Sequence, residues 1–111
     1  MSVRLTSEFW VQAYIQRLQL NEIPVFVVER GDATAGSVLI KLNYLNGSAI
    51  AFQRRFDFET DRRVWSTLAE GPEEEVDQSL SREQDFDSDL WIVEVEDRQG
   101  RHLLEEEGLS D

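Results

Sequence analysis

Near the start of the chain, polar residues recur at helical spacing: Glu8, Gln12, Gln16 and Gln19. Phe9, Trp10, Val11, Ala13, Tyr14, Ile15, Leu18 and Leu20 fill the positions between them. The pattern predicts a helix over residues 7–21 with one narrow wet stripe and a wide apolar face. Thr6 or Ser7 can cap its start, and Glu8 suits its first turn. Asn21 and Pro24 punctuate its end. A helix this apolar must be covered by a sheet or a partner.

Beyond it the period changes to that of strands. Residues 24–30 (PVFVVER) are β-branched and aromatic on both faces, which predicts a central strand. Gly31 to Gly36 reads as a hairpin turn. Val38, Ile40, Leu42 and Tyr44 then share one face of a second strand, and Asn46-Gly47 turns the chain. A two-residue loop there would place Ile50 and Phe52 on the side of Lys41 and Asn43. An odd loop of three places them beside Leu42 and Ile40. The side-chain period of two therefore favours a bulged hairpin with Gly47 left-handed. Residues 57–61 form a polar turn, and Arg62 to Leu68 a fourth strand. Gly71-Pro72-Glu73-Glu74-Glu75 opens a second helix that reaches about Gln84. Its apolar stripe is thin, Val76 and Leu80 with Phe86 beyond, so it belongs on the surface. Leu90 to Val95 is a fifth strand, and Arg101 to Leu104 pairs back as a short edge.

The fold class is α+β. An N-terminal helix packs on a mainly antiparallel sheet of about five strands, with an acidic surface helix before the last long strand. Length supports one domain, since the chain has 111 residues. Residues 1–104 form that domain, and residues 105–111 form an acidic, frayed tail.

Charge divides the chain more sharply than hydropathy does. The formal net charge is -12, from 11 Lys+Arg and 23 Asp+Glu. Up to Thr60 there are six basic and six acidic residues; from Asp61 onward there are five and 17. The whole excess lies in the second half. Polyanions and anionic membranes are repelled by such a protein as a whole. The 41% hydrophobic content still supports a folded core. No Cys is present, which excludes disulfides, thiol catalysis and Cys-ligated metal. No apolar run approaches a membrane span, and the N-terminal residues lack a secretory leader, so a cytoplasmic location is expected.

Three blocks carry a family resemblance. They are residues 7–13 (SEFWVQA), residues 24–32 (PVFVVERGD), and residues 86–91 (FDSDLW) leading into residues 94–102 (EVEDRQGRH). With these, nearly the whole chain resembles a family of short bacterial proteins catalogued as a domain of unknown function, number 1491. The resemblance implies one cytoplasmic domain. It transfers no activity, cofactor, partner or site residue.

Candidate chemistry is sparse. Gly31-x-x-x-x-Gly36-Ser37 has part of a phosphate-loop spacing, but Lys is missing and the loop joins two strands. Asp85, Asp87 and Asp89 resemble half of a calcium loop and are the candidate metal ligands, but Leu90 replaces the required Gly. His102 is the only imidazole, and its position favours a structural role. Glu73-Glu74-Glu75 complements a helix dipole, and Glu105-Glu106-Glu107 solubilises a tail. Trp10, Trp65 and Trp91 sit among apolar neighbours, as core residues do. Arg54, Arg55, Arg62 and Arg63 flank one turn, interleaved with Phe52, Phe56, Phe58 and Trp65. They are the one local basic patch and the candidate anion-binding residues.

The leading expectation is a non-catalytic interaction module whose acidic C-terminal half faces a basic protein partner, with no cofactor. The alternative is a binding domain for a small anionic ligand or nucleic acid at the arginine hairpin. A third reading is a hydrolase or metal-assisted enzyme using the acidic loop from Asp85 to Asp89 with His102. A homodimer through an open sheet edge or face is compatible with the many aromatic residues.

Overall fold

The computed structural model of the protein describes residues 5–106 and 109. Helix α1 spans Ser7–Leu20, and the Thr6 hydroxyl accepts from the Phe9 N–H to cap it. Strands β1 (Val25–Glu29), β2 (Val38–Asn43), β3 (Ser48–Asp57) and β4 (Arg62–Pro72) follow. Helix α2 (Glu73–Phe86) and strand β5 (Trp91–Glu96) complete the fold. It is the α+β arrangement that the hydropathy pattern predicts.

The sheet order is β1-β5-β2-β3-β4. β2 pairs with β5 in parallel; the other pairings are antiparallel. This corrects two expectations. β1 is an edge strand, with Phe26, Val27 and Val28 exposed, and β2 is the strand buried along its whole length. β1 and β2 do not form a hairpin, because β5 lies between them. A parallel neighbour needs a crossover, and β4–α2–β5 provides it. A third correction concerns residues 101–104. They form no strand but run irregularly, with Leu104 buried in the core.

The β2–β3 hairpin has the expected odd register. Leu42 lies opposite Ile50 and Ile40 opposite Phe52, and Gly47 has φ +92. Alternation then sorts side chains onto two faces. Val38, Ile40, Leu42, Ile50, Trp91, Val93 and Val95 join Trp10, Val11, Tyr14 and Leu18 of α1 in one core. Leu39, Ala49, Ala51, Leu90 and Ile92 join Val76 and Leu80 of α2 in another. Each helix thus covers one face of the sheet. Within α1, Phe9 and Leu20 remain exposed, so the buried stripe is narrower than the apolar pattern suggested.

Of the stretch read as a tail, residues 107, 108, 110 and 111 lie outside the described residues. Glu105 and Glu106 are exposed, but Leu109 is buried and its carbonyl accepts from Trp65 Nε1 at 3.0 Å. Leu109 is docked rather than frayed.

On the α2 face, Lys41 is buried among carboxylates. Its Nζ lies 2.7 Å from Glu73, 2.7 Å from Asp77 and 3.5 Å from Glu94. Asn43 Nδ2 donates to Glu73 at 3.0 Å and to Glu94 at 3.2 Å. Burial pulls the Lys41 ammonium down, but bonds to Asp77 and Glu73 and the charge of Glu94 outweigh it and raise its pKa above 10.5. The stabilisation from this shift is fully present below the ordinary lysine value and is lost as pH rises through the raised one.

Two predictions follow from this packing. Lys41→Met keeps the volume but strands three carboxylates, so urea denaturation should show a loss of about 3 kcal/mol at pH 7. The glycines also separate space from conformation. A Cβ on Gly31 would collide with the Asp89 carbonyl oxygen and lie 2.6 Å from the Leu90 carbonyl carbon, whereas one on Gly47 meets nothing within 4 Å. Gly31→Ala should cost at least about 2 kcal/mol and Gly47→Ala about 1 kcal/mol, measured in the same denaturation series.

Candidate functional site

The β3–β4 hairpin outruns its neighbour. β2 begins at Val38 and its last register pair with β3 is Ile40 with Phe52, yet β3 continues to Asp57. Residues 53–57 and 62–66 therefore form a two-stranded arm beyond the edge of β2. Facing the arm is the loop of residues 30–37, which must cross the start of β5 to reach β2. That loop is pinned along its length. Asp32 N–H donates to the Asp89 carbonyl at 2.8 Å, and Trp91 Nε1 donates to the Asp32 carbonyl at 2.8 Å. Trp91 N–H donates to the Ser37 carbonyl at 2.7 Å, and Ser7 Oγ donates to the Gly36 carbonyl. Asp32 Oδ2 accepts from Thr34 and Ala35 N–H groups. Gly31 and Gly36 both press against the Asp89 carbonyl, where a Cβ has no room.

Between loop and arm lies a cleft of about 690 Å³. Arg54, Arg55, Arg62 and Arg63 all line it. Register places Arg54 opposite Trp65 and Phe56 opposite Arg63, all on the α1 side of the arm. Arg55 and Arg62 point to the other side. One arginine from each strand shares each face. Arg55 and Arg62 are exposed, whereas Arg54 and Arg63 are half-buried. The Arg54 guanidinium lies 4.6 Å from the Trp10 ring centre and 4.7 Å from that of Trp65. Such stacking contributes about 0.5–2 kcal/mol and fixes the cation in the wall. Sequence reasoning brought the four arginines together but did not see the opposing wall. Leu5, Trp10, Thr34, Ser37, Glu83 and Asp87 come from elements far apart in the chain.

Trp10 contributes one further feature. Its ring is buried in the cleft wall, and its Nε1–H has no acceptor among the described residues. The other two indoles, Trp65 and Trp91, each have a carbonyl acceptor.

Of the other sequence candidates, Asp87 reaches the cleft wall and the rest are placed elsewhere or dispersed. Asp85 lies in the last turn of α2 and is exposed, Asp87 Oδ1 accepts from the Asp89 N–H, and the Asp89 carbonyl holds the loop. No group of three acidic or imidazole side chains among the described residues is arranged to hold a metal. His102 lies outside the cleft. Its Nδ1 accepts from the Leu104 N–H at 3.0 Å, and its carbonyl accepts from the Tyr14 hydroxyl at 2.7 Å. Burial pushes the Tyr14 phenol far up, which keeps that donor protonated. Burial also lowers the His102 imidazole, against the weaker pull of Glu105. Asp97 is held below the usual carboxylate range by hydrogen bonds from Arg101, which outweigh its burial.

With this geometry, comparison with known proteins is decisive for the family. The model of a protein of unknown function, DUF1491, matches residues 5–105. The chain belongs to the DUF1491 family. A crystal structure of a DUF1491 family protein from Caulobacter crescentus is similar at 35% identity and TM-score 0.84, covering 92% of this chain and 96% of that one. An NMR structure of a family protein from the same organism gives 34% identity and TM-score 0.81, over 94% and 96%. A solution structure of a protein from A. tumefaciens gives 30% identity and TM-score 0.71, over 85% and 86%. A search of curated proteins gives no significant match. Among the described residues, no helix is long and apolar enough to cross a membrane.

His102 makes the stability of the fold pH-sensitive. Its lowered pKa means that folding favours the neutral ring, so this contribution is present above 6.5 and is lost as pH falls through the lowered value. Thermal unfolding between pH 7.5 and 5 should show a falling midpoint. His102→Asn, which keeps an acceptor near the Nδ1 position, should flatten that slope.

Proposed function

We propose that this DUF1491 protein is a binding domain for an anionic ligand, held in the cleft between the arm and the loop. One observation carries the reading: Arg54, Arg55, Arg62 and Arg63 all line the same cleft, although the protein as a whole is strongly acidic. Guanidinium groups form forked, charge-assisted bonds to phosphate and carboxylate. The adverse net charge is screened over about 8 Å at physiological salt, so local arginines dominate at contact distance.

A second reading is an acidic face for a basic protein partner. It draws on Glu74 and Glu75, which are exposed on α2. Part of the acidic excess is internally committed, however: Lys41 holds Glu73, Asp77 and Glu94, and Arg101 holds Asp97. The geometry therefore favours the cleft.

Isothermal titration with inorganic pyrophosphate tests the proposal. Binding should weaken with added salt, and Arg55→Ala or Arg62→Ala should each reduce affinity about tenfold or more. Both side chains are exposed, so the fold should be retained. Absence of any pyrophosphate binding, or binding that is indifferent to both substitutions, would contradict the cleft reading.

A further inference from the structure

Resting on that reading, we infer that the ligand is a single nucleotide, with its base against Phe56 and its phosphate among the arginines that line the cleft, rather than a nucleic-acid strand. The cleft is not a purely basic groove. Phe56 lines it and is 41% exposed, and Phe58 beside it is 89% exposed, with ring centres 5.0 Å apart edge to face. Neither ring belongs to a buried core. A half-exposed phenylalanine in the wall of an arginine-lined cleft, with a second ring against its edge, suits a ligand that has a flat apolar part as well as an anion. A base stacks on an aromatic side chain whatever its identity.

The carboxylates in the wall decide between a monomer and a strand. Asp61, Glu83 and Asp87 line the same cleft. They repel phosphate, but they accept hydrogen bonds from ribose hydroxyls and exocyclic amines. A single nucleotide offers both kinds of group and can keep its phosphate on the arginine side. A strand would have to carry further phosphates past these three residues and across the acidic second half of the chain. Affinity for a strand rests on successive phosphate contacts, which this surface does not supply. A cavity of about 690 Å³ lies within the usual range for small-ligand sites.

The test is calorimetric titration of the full chain with ADP, inorganic pyrophosphate, adenosine and a single-stranded oligothymidylate. ADP should bind about tenfold more tightly than pyrophosphate and more tightly than adenosine. Phe56→Ala and Phe56→Leu should remove that advantage while leaving pyrophosphate binding unchanged; Phe56→Leu keeps apolar bulk, and denaturation checks that both variants fold. The oligonucleotide should bind no more tightly than ADP. Equal binding of ADP and pyrophosphate, or an ADP affinity indifferent to Phe56, would overturn this inference and leave the anion reading standing. A tighter oligonucleotide would overturn it in favour of a strand. Failure of pyrophosphate and ADP alike would overturn both readings.

Discussion

The insertion of β5 between β1 and β2 shapes everything that surrounds the cleft. Strands adjacent in sequence usually pair, and here β1 and β2 are held apart by the last strand of the chain. The connection between them must pass over the entry to β5. It does so in contact, with Gly31 and Gly36 against the Asp89 carbonyl and the Trp91 indole bonded to the Asp32 carbonyl. A loop that would be free in a hairpin becomes a fixed wall. Because β2 starts late, the far ends of β3 and β4 are left without a neighbour opposite that wall. The cleft is the consequence of one strand's position.

Lys41 explains how so acidic a chain tolerates its second helix. The three residues Glu73, Asp77 and Glu94 would repel one another if left alone. A buried ammonium and the Asn43 amide bind them together, joining the start of α2 to β2 and β5. Breaking such a cluster strands charge, whereas its net contribution is smaller than its short distances suggest. Its effect is on placement. It fixes the start of α2, whose far end brings Glu83 and then Asp87 to the cleft. Acidic excess in the sequence is thus partly an internal device.

Much of this was legible in the residues. Helix α1, its cap and the odd register at Gly47 follow from period and parity alone. The arginine pairs were visible as flanks of one turn, and cross-strand pairing puts one of each on either face. Strand order was not legible. Residues 25–28 are as apolar as a central strand, and only competition with β5 for the central position leaves them at the edge. Parallel pairing depends on where α2 returns the chain, which no local pattern records. The cleft's second wall shared that fate, since it depends on the β5 insertion. The docking of Leu109 under Trp65 was hidden by the charge of its neighbours, although an isolated leucine in an acidic stretch was a usable signal.

The proposed anion site is the junction of the pinned loop and the arginine arm. Backbone amide shift mapping by NMR during a pyrophosphate titration tests it most directly. Saturable shifts are expected at residues 34–37 and 53–63, with α1 residues beyond Trp10 and the exposed edge of β1 unaffected. Shifts centred on another surface, or none at concentrations that saturate ordinary phosphate sites, would contradict it.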